Sequence, residues 1–341
     1  MAKSIVILAV WSWLFACAAY AQDASGLQNG VTLTGSSPLA TNAEIVRRLF
    51  SPLTAQHIAQ ALVQSGKTLS GQPVDPRQEK FTLYVPAEKP ANGYALVVFV
   101  PPSNEAKLPS GWAAALDQYG AIFVSAANSG NDANVIERRV PLALLAAQNV
   151  MQRYAVDPEH VYIAGFSGGA RVALRLALAY PDLFRGALLE AGSDPIATAG
   201  MPLPPKDLFA RFQDASRIVF MTGEHDGAAL SADAATRTSL RKLCISGVQT
   251  ENIPDTAHAI ASGAALSRGL KVLFDPPARR GSDFASCRAA LDAELDTQFG
   301  EAETLLTRGN RDEAKNALDA IDVRFGGLAA PRSLELLSRL R

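Results

Sequence analysis

Short apolar runs recur through the middle of the chain, separated by longer stretches with helical spacing. Tyr94–Val100, Ala121–Ala126, His160–Ala164, Gly186–Glu190, Ile218–Thr222 and Val248–Ile253 read as strands. Most of these runs are almost unbroken, the pattern of strands buried on both faces. Between them, Leu142–Tyr154 and Ala170–Ala179 place apolar residues among helix formers with neither Gly nor Pro. Phe81–Val85 alternates and reads as an early antiparallel strand. Upstream, Thr41 to Gly66 holds two short helical patterns separated by Ser51-Pro52. Strands alternating with helices imply a mostly parallel sheet with helices on both faces.

One junction carries chemistry. Gly165-Phe166-Ser167-Gly168-Gly169 follows an apolar strand pattern and precedes an apolar helix pattern. Strand, Gly-x-Ser-x-Gly and helix together form the context of a nucleophile elbow, where a tight turn lifts the serine hydroxyl clear of the backbone. The alternative is an ordinary glycine-rich turn. An α/β-hydrolase then supplies its acid and its histidine further along the chain, in that order. Strand Arg217–Thr222 ends in Gly223-Glu224-His225-Asp226, and Val248–Ile253 leads into Pro254-Asp255-Thr256-Ala257-His258. Ser167, Asp226 and His258 are the expected nucleophile, orienting acid and base. Glu224 is a rival acid, and Asp226 has a second reading as the cap of the following helix. His57 and His160 read as structural or exposed, and His225, adjacent to the acid, as pointing away from the site.

Composition narrows the setting. Lys3, the apolar run Ile5 to Phe15 and Ala19-Tyr20-Ala21 before Gln22 form a secretory signal. The run is too short to span a bilayer comfortably, so no membrane span is expected. Leu14-Phe15-Ala16-Cys17 offers a lipid anchor at Cys17 as the less favoured alternative. Removal of residues 1–21 leaves 320 residues, enough for one large domain with additions. The exported chain then keeps two cysteines, Cys244 and Cys287, a disulfide candidate in an oxidising compartment. A formal net charge of −1 without a long basic run argues against a nucleic-acid partner. No Cys/His cluster has metal-ligand spacing and no phosphate loop appears, so no cofactor or metal is expected.

The stretch from Tyr154 through Asp157-Pro158 and the elbow to Tyr180-Pro181-Asp182-Leu183-Phe184 resembles the secreted polyhydroxybutyrate depolymerases and feruloyl or acetyl-xylan esterases. The likeness covers roughly residues 81–274. It implies an α/β-hydrolase fold and carboxylic ester hydrolysis through a serine acyl-enzyme. That family usually carries His-Gly after its early strand, with the amide beyond it serving the oxyanion hole. Here the strand runs into Pro101-Pro102-Ser103-Asn104. Proline has no N–H, which leaves the amides of Ser103 and Gly168 as the expected donors.

The chain is therefore expected to comprise a signal peptide (1–21), an N-terminal helical extension (22–77), an α/β-hydrolase domain (78–280) and a helical segment (281–341). In the last, Leu305 to Ala314 followed by Ala317-Leu318 resembles the turn and second helix of a tetratricopeptide repeat. One such unit cannot bury its own apolar face, so a C-terminal helical hairpin packed on the body is expected rather than a partner-binding array. The expected function is a secreted or periplasmic serine hydrolase acting on a small-molecule or polymer-borne ester. Two rivals stay open: a serine peptidase on the same fold, and a catalytically weak binding protein that keeps a hydrolase body. The segment Asp194 to Phe212, rich in proline, is expected to form a loop or lid.

Overall fold

The computed structural model describes residues 24–275, 281 and 283–340. The expected secretory signal, Cys17 and the expected boundary near residue 280 lie outside them. Eight strands form one sheet: β1 (Gly26–Val31), β2 (Phe81–Val85), β3 (Tyr94–Val100), β4 (Ala121–Ala126), β5 (Val156–Phe166), β6 (Gly186–Glu190), β7 (Arg217–Gly223) and β8 (Val248–Ile253). Their order is β1-β2-β4-β3-β5-β6-β7-β8. β2 pairs antiparallel with β1 and β4, and every pair from β4 to β8 is parallel.

The order reverses at β3. The chain leaves β3 for β4 on one side and returns to β5 on the other, so Val100 at the end of β3 pairs with Gly165 at the end of β5. Open α/β sheets form their crevice at such a reversal. The elbow and the Pro101-Pro102 loop are neighbours for this topological reason.

The helices are α1 (Asn42–Leu49), α2 (Pro52–Gln64), α3 (Trp112–Gln118), α4 (Val140–Arg153), α5 (Gly168–Ala179), α6 (Lys206–Ala215), α7 (Gly227–Lys242), α8 (Gly263–Phe274), α9 (Asp283–Thr307), α10 (Arg311–Phe325) and α11 (Arg332–Arg339). The period-two geometry of a strand splits β3 between two cores. Ala95, Val97 and Phe99 face α3 and α8, where Trp112, Leu116, Leu266 and Leu270 are buried. Leu96, Val98 and Val100 face α4 and α5, with Leu144, Leu145, Leu174 and Ala177. Helices cover both faces, as the strand pattern predicts.

Two regions differ in detail from the sequence reading. Residues 26–31 of the expected helical extension form the sheet's edge strand, joined to β2 with a register shift between Gln28 and Val31. Gly-Leu-Gln-Asn-Gly-Val lacks apolar alternation because the strand is half exposed, so no pattern announced it. The expected lid, Asp194 to Phe212, turns into α6 at Lys206. Ile196, Met201, Leu203, Phe209 and Phe212 within it are buried.

The C-terminal helices join the α4/α5 core. Phe299, Leu318, Ile321, Phe325 and Leu336 are buried in it. α9 and α10 form the expected hairpin, turning at Gly309 with φ +82°, and α11 adds a third helix. Asp322 of α10 fixes the docking by accepting from the Leu53 amide at 3.1 Å and from Ser51 Oγ. It thereby caps α2 from another element, an N-terminus whose own Ser51 makes no capping bond. A disulfide between Cys244 at the end of α7 and Cys287 in α9 ties the same segment to the body.

Candidate active site

Ser167 sits between β5 and α5 with φ 57° and ψ −121°. A side chain in that region is strained, and the surroundings must hold it there. Three glycines allow the packing that does so. A Cβ on Gly165 would lie 2.4 Å from the Gly169 carbonyl carbon, one on Gly169 2.0 Å from the Val100 oxygen, and one on Gly192 2.2 Å from the Ser167 oxygen. The Ser167 amide donates to the Glu190 carbonyl at 2.7 Å. The turn is thus enclosed by backbone on three sides.

His258 arrives in the loop after β8 and Asp226 in the loop after β7. His258 Nε2 lies 3.0 Å from Ser167 Oγ, and Nδ1 lies 2.6 Å from Asp226 Oδ2. A carboxylate can only accept, so Nδ1 carries the proton and Nε2 is free to take one from the serine. Asp226 is 7% exposed, and its other oxygen accepts from the Ala229 amide at 3.2 Å. One oxygen thus caps α7 while the other bonds the imidazole, so the two contacts do not compete. The Phe166 ring packs against His258 at 4.9 Å.

The rivals point elsewhere. Glu224 is exposed and accepts from the Asp255 amide at 3.4 Å. His160 stacks on Phe274 and pairs with Asp157, while His57 is exposed on α2. Among the described residues, exposed Glu224, His225 and Asp255 bring ligand atoms within 4.8 Å of one another.

The histidine loop is pinned at Ala261. Its amide donates to Glu190 Oε2 at 2.8 Å and its carbonyl accepts from Trp112 Nε1 at 2.8 Å. Glu190 is fully buried, and burial pushes its pKa up to about 8. The carboxyl is therefore mostly protonated at neutral pH. One residue contacts both loops, through its carbonyl to Ser167 and its side chain to Ala261.

On the oxyanion side, Gly168 opens α5, where the first amides have no intrahelical acceptor. The Asn131 side chain lies over it: a Cβ on Gly168 would meet Asn131 Oδ1 at 2.2 Å. Ser103 is exposed. The Pro102 carbonyl accepts from the Asn131 amide at 3.0 Å, so the Ser103 N–H, antiparallel to that carbonyl in a trans peptide, points away from Asn131. Asn104 Oδ1 accepts from the Gly130 amide at 3.0 Å. Arg139, the residue before α4, donates to the carbonyls of Ser129 (2.9 Å), Pro101 (2.9 Å) and Gly168 (3.4 Å). Asn131, Arg139 and Glu190 are site neighbours that no motif marks. Arg139 stands in Glu137-Arg138-Arg139, which reads as an exposed charged turn.

Poly(3-hydroxybutyrate) depolymerase of Ralstonia pickettii is 33% identical over 101 residues, 26% of this chain and 21% of that protein. "Putative esterase NocK" of Nocardia uniformis subsp. tsuyamanensis is 29% identical over 131 residues, 36% of this chain and 38% of that one. The chain thus spans well under half the length of both curated relatives. S-formylglutathione hydrolase (FrmB) from Staphylococcus aureus superposes with a TM-score of 0.46 at 13% identity, over 57% of this chain and 92% of that one. The Esterase family model, described as "Putative esterase", matches residues 74–266, a stretch that runs from just before β2 into α8 and takes in the elbow, Asp226 and His258. That match covers more than half of the chain, which belongs to the Esterase family.

Proposed function

We propose that the protein is an exported serine hydrolase that cleaves carboxylic esters through an acyl-enzyme, without a cofactor. The observation that carries the reading is the chain from Ser167 Oγ through His258 to Asp226, at 3.0 and 2.6 Å. Membership of the Esterase family favours an ester over a peptide. Export draws support from the signal-like N-terminus and from the Cys244–Cys287 disulfide. Among the described residues, no helix is long and apolar enough to cross a membrane.

In this mechanism Ser167 Oγ attacks the acyl carbon while His258 Nε2 takes its proton. Asp226 holds the tautomer and stabilises the imidazolium. The amides of Gly168 and Ser103 receive the negative charge on the former carbonyl oxygen. Collapse of the tetrahedral species expels the alcohol, which leaves with the proton from His258. Water then attacks the acyl-enzyme with His258 as base and releases the acid. The substrate class is a small-molecule or polymer-borne ester.

A fluorophosphonate tests this directly. Mass spectrometry is expected to find the adduct on Ser167, and Ser167→Ala to abolish it along with hydrolysis of short-chain acyl, acetylated-sugar and hydroxycinnamoyl esters. Folded wild-type protein that takes no label at Ser167 would sink the enzyme reading and leave the binding-protein alternative.

A further inference from the structure

We infer that Arg139 is a positioning residue for the oxyanion hole: its guanidinium joins the Pro101 side of the hole to the Gly168 side. This rests on the serine-hydrolase reading above.

The geometry is that of a three-way clamp. Nη2 donates to Pro101, two residues before the Ser103 donor, and Nη1 to Gly168, whose amide is the other donor. Nε donates to Ser129, in the loop whose Asn131 amide holds Pro102. A planar guanidinium fixes the directions of its N–H groups relative to one another. The spacing of the two proposed donors is therefore set through one rigid group. A backbone constraint does part of this already, since Gly169 packs on the Val100 carbonyl. Beyond Val100 the loop turns outward, and Pro101 can form no backbone N–H bond of its own.

Charge supplies a second, independent argument. Arg139 is 3% exposed, and the partners of its side chain are three neutral carbonyls rather than a carboxylate. Burial lowers its pKa, with Asp132 a weaker opposing influence. Burying a cation without an ion-pair partner is costly for a resting protein. The cost is offset if a negative charge develops close by in a low-dielectric site, which is what formation of the tetrahedral oxyanion does. Arg139 does not touch that oxygen. It acts through the peptide units next to the two donors, Pro101–Pro102 and Gly168–Gly169.

The test compares Arg139→Lys, which keeps a cation but loses the fork, with Arg139→Gln, which loses the charge. Active sites are counted with a fluorophosphonate, and a short-chain p-nitrophenyl ester is the substrate. The expected result is a fall in kcat per titrated Ser167 of about 10-fold for the lysine variant and about 100-fold for the glutamine variant, with KM within about threefold. A residue serving stability alone would lower the titratable fraction and the melting temperature but leave kcat per labelled site unchanged. Folded variants with wild-type kcat per site overturn the inference. If only Arg139→Lys folds, it decides; if neither folds, Arg139 belongs to the fold alone and the inference falls. Wild-type protein that fails to label at Ser167 takes down the hydrolase reading and this one together, whereas labelled wild type with unaffected variants takes down this one only.

Discussion

The two halves of the site are held in place by different means. The elbow is constrained by backbone against backbone: Gly165, Gly169 and Gly192 are each in positions where a single Cβ would meet a main-chain atom at 2.4 Å or less. The loop after β3 is constrained by hydrogen bonds to residues elsewhere in the chain: the Arg139 side chain donates to Pro101, and the backbone amides of Asn128, Gly130 and Asn131 donate to Asn104 and Pro102. The elbow's constraint is local and steric, so it leaves its mark as a motif. The other half's constraint is remote and polar, and it leaves none. Substitutions in the elbow should therefore be all or nothing according to what the new atom meets, while those in the loop should be graded.

Gly169→Ala gives the largest expected effect. Its Cβ would fall 2.0 Å from the Val100 oxygen, where helix α5 meets the end of the central strand β3 and neither can move freely. Overpacking of this kind costs about 1–3 kcal/mol when side chains can adjust, and more when only backbone is available. Ser167 labelling should be lost together with several degrees of melting temperature. Gly168→Ala is the control. Its Cβ meets only the end of the Asn131 side chain, which can rotate away, so stability should change little and turnover by no more than about tenfold. Equal damage from the two alanines would show that the elbow is not governed by backbone contact.

In the loop, the hypothesis assigns the second oxyanion donor to the Ser103 amide. Ser103→Pro deletes that amide and should lower kcat about 100-fold or more, whereas Ser103→Ala should stay within a few-fold. Thermal melting must accompany the kinetics, because a third consecutive proline can distort the loop. A well-folded proline variant with nearly wild-type kcat would place the donor elsewhere.

How much was legible in the sequence follows the same division. The parallel sheet could be read because β3 and β5–β7 contain buried apolar runs; Ser167 and Asp226 lie just beyond such runs, and His258 lies beyond β8, where Val248 and Ile253 bracket a polar centre. β1 could not, since an edge strand of mixed glycine, polar and apolar residues with no alternation needs only its backbone to pair. α6 was hidden behind the prolines that precede it, although Phe209 and Phe212 sit at helical spacing on its buried face. The roles of Arg139 and Glu190 depend on which carbonyl or amide lies opposite. A charge near an apolar run is usually a solvated residue, and only tertiary contact reveals the exception.

Glu190 lies at the end of β6, between the two regions, and sharpens the comparison by pH rather than by shape. Its carboxyl is buried with a pKa of about 8, and Oε2 holds the Ala261 amide of the histidine loop. In the unfolded chain the same group titrates near 4.5. Between these values the folded protein keeps a proton that the unfolded chain releases, so this group's contribution to stability is fully present below about pH 4.5. It declines as pH rises through that window and levels off above about pH 8. Glu190→Gln keeps an acceptor for Ala261 but cannot ionise. The variant and wild type should melt together near pH 5, and the variant should gain progressively towards pH 8, by several degrees, with no further divergence above it. The substitution changes only the charge and leaves every contact of the elbow and the loop intact. Parallel melting curves for the two proteins from pH 5 to pH 9 would mean that Glu190 is ionised in the folded state and compensated by a partner, and its link between the two loops would then be electrostatic rather than a neutral hydrogen bond.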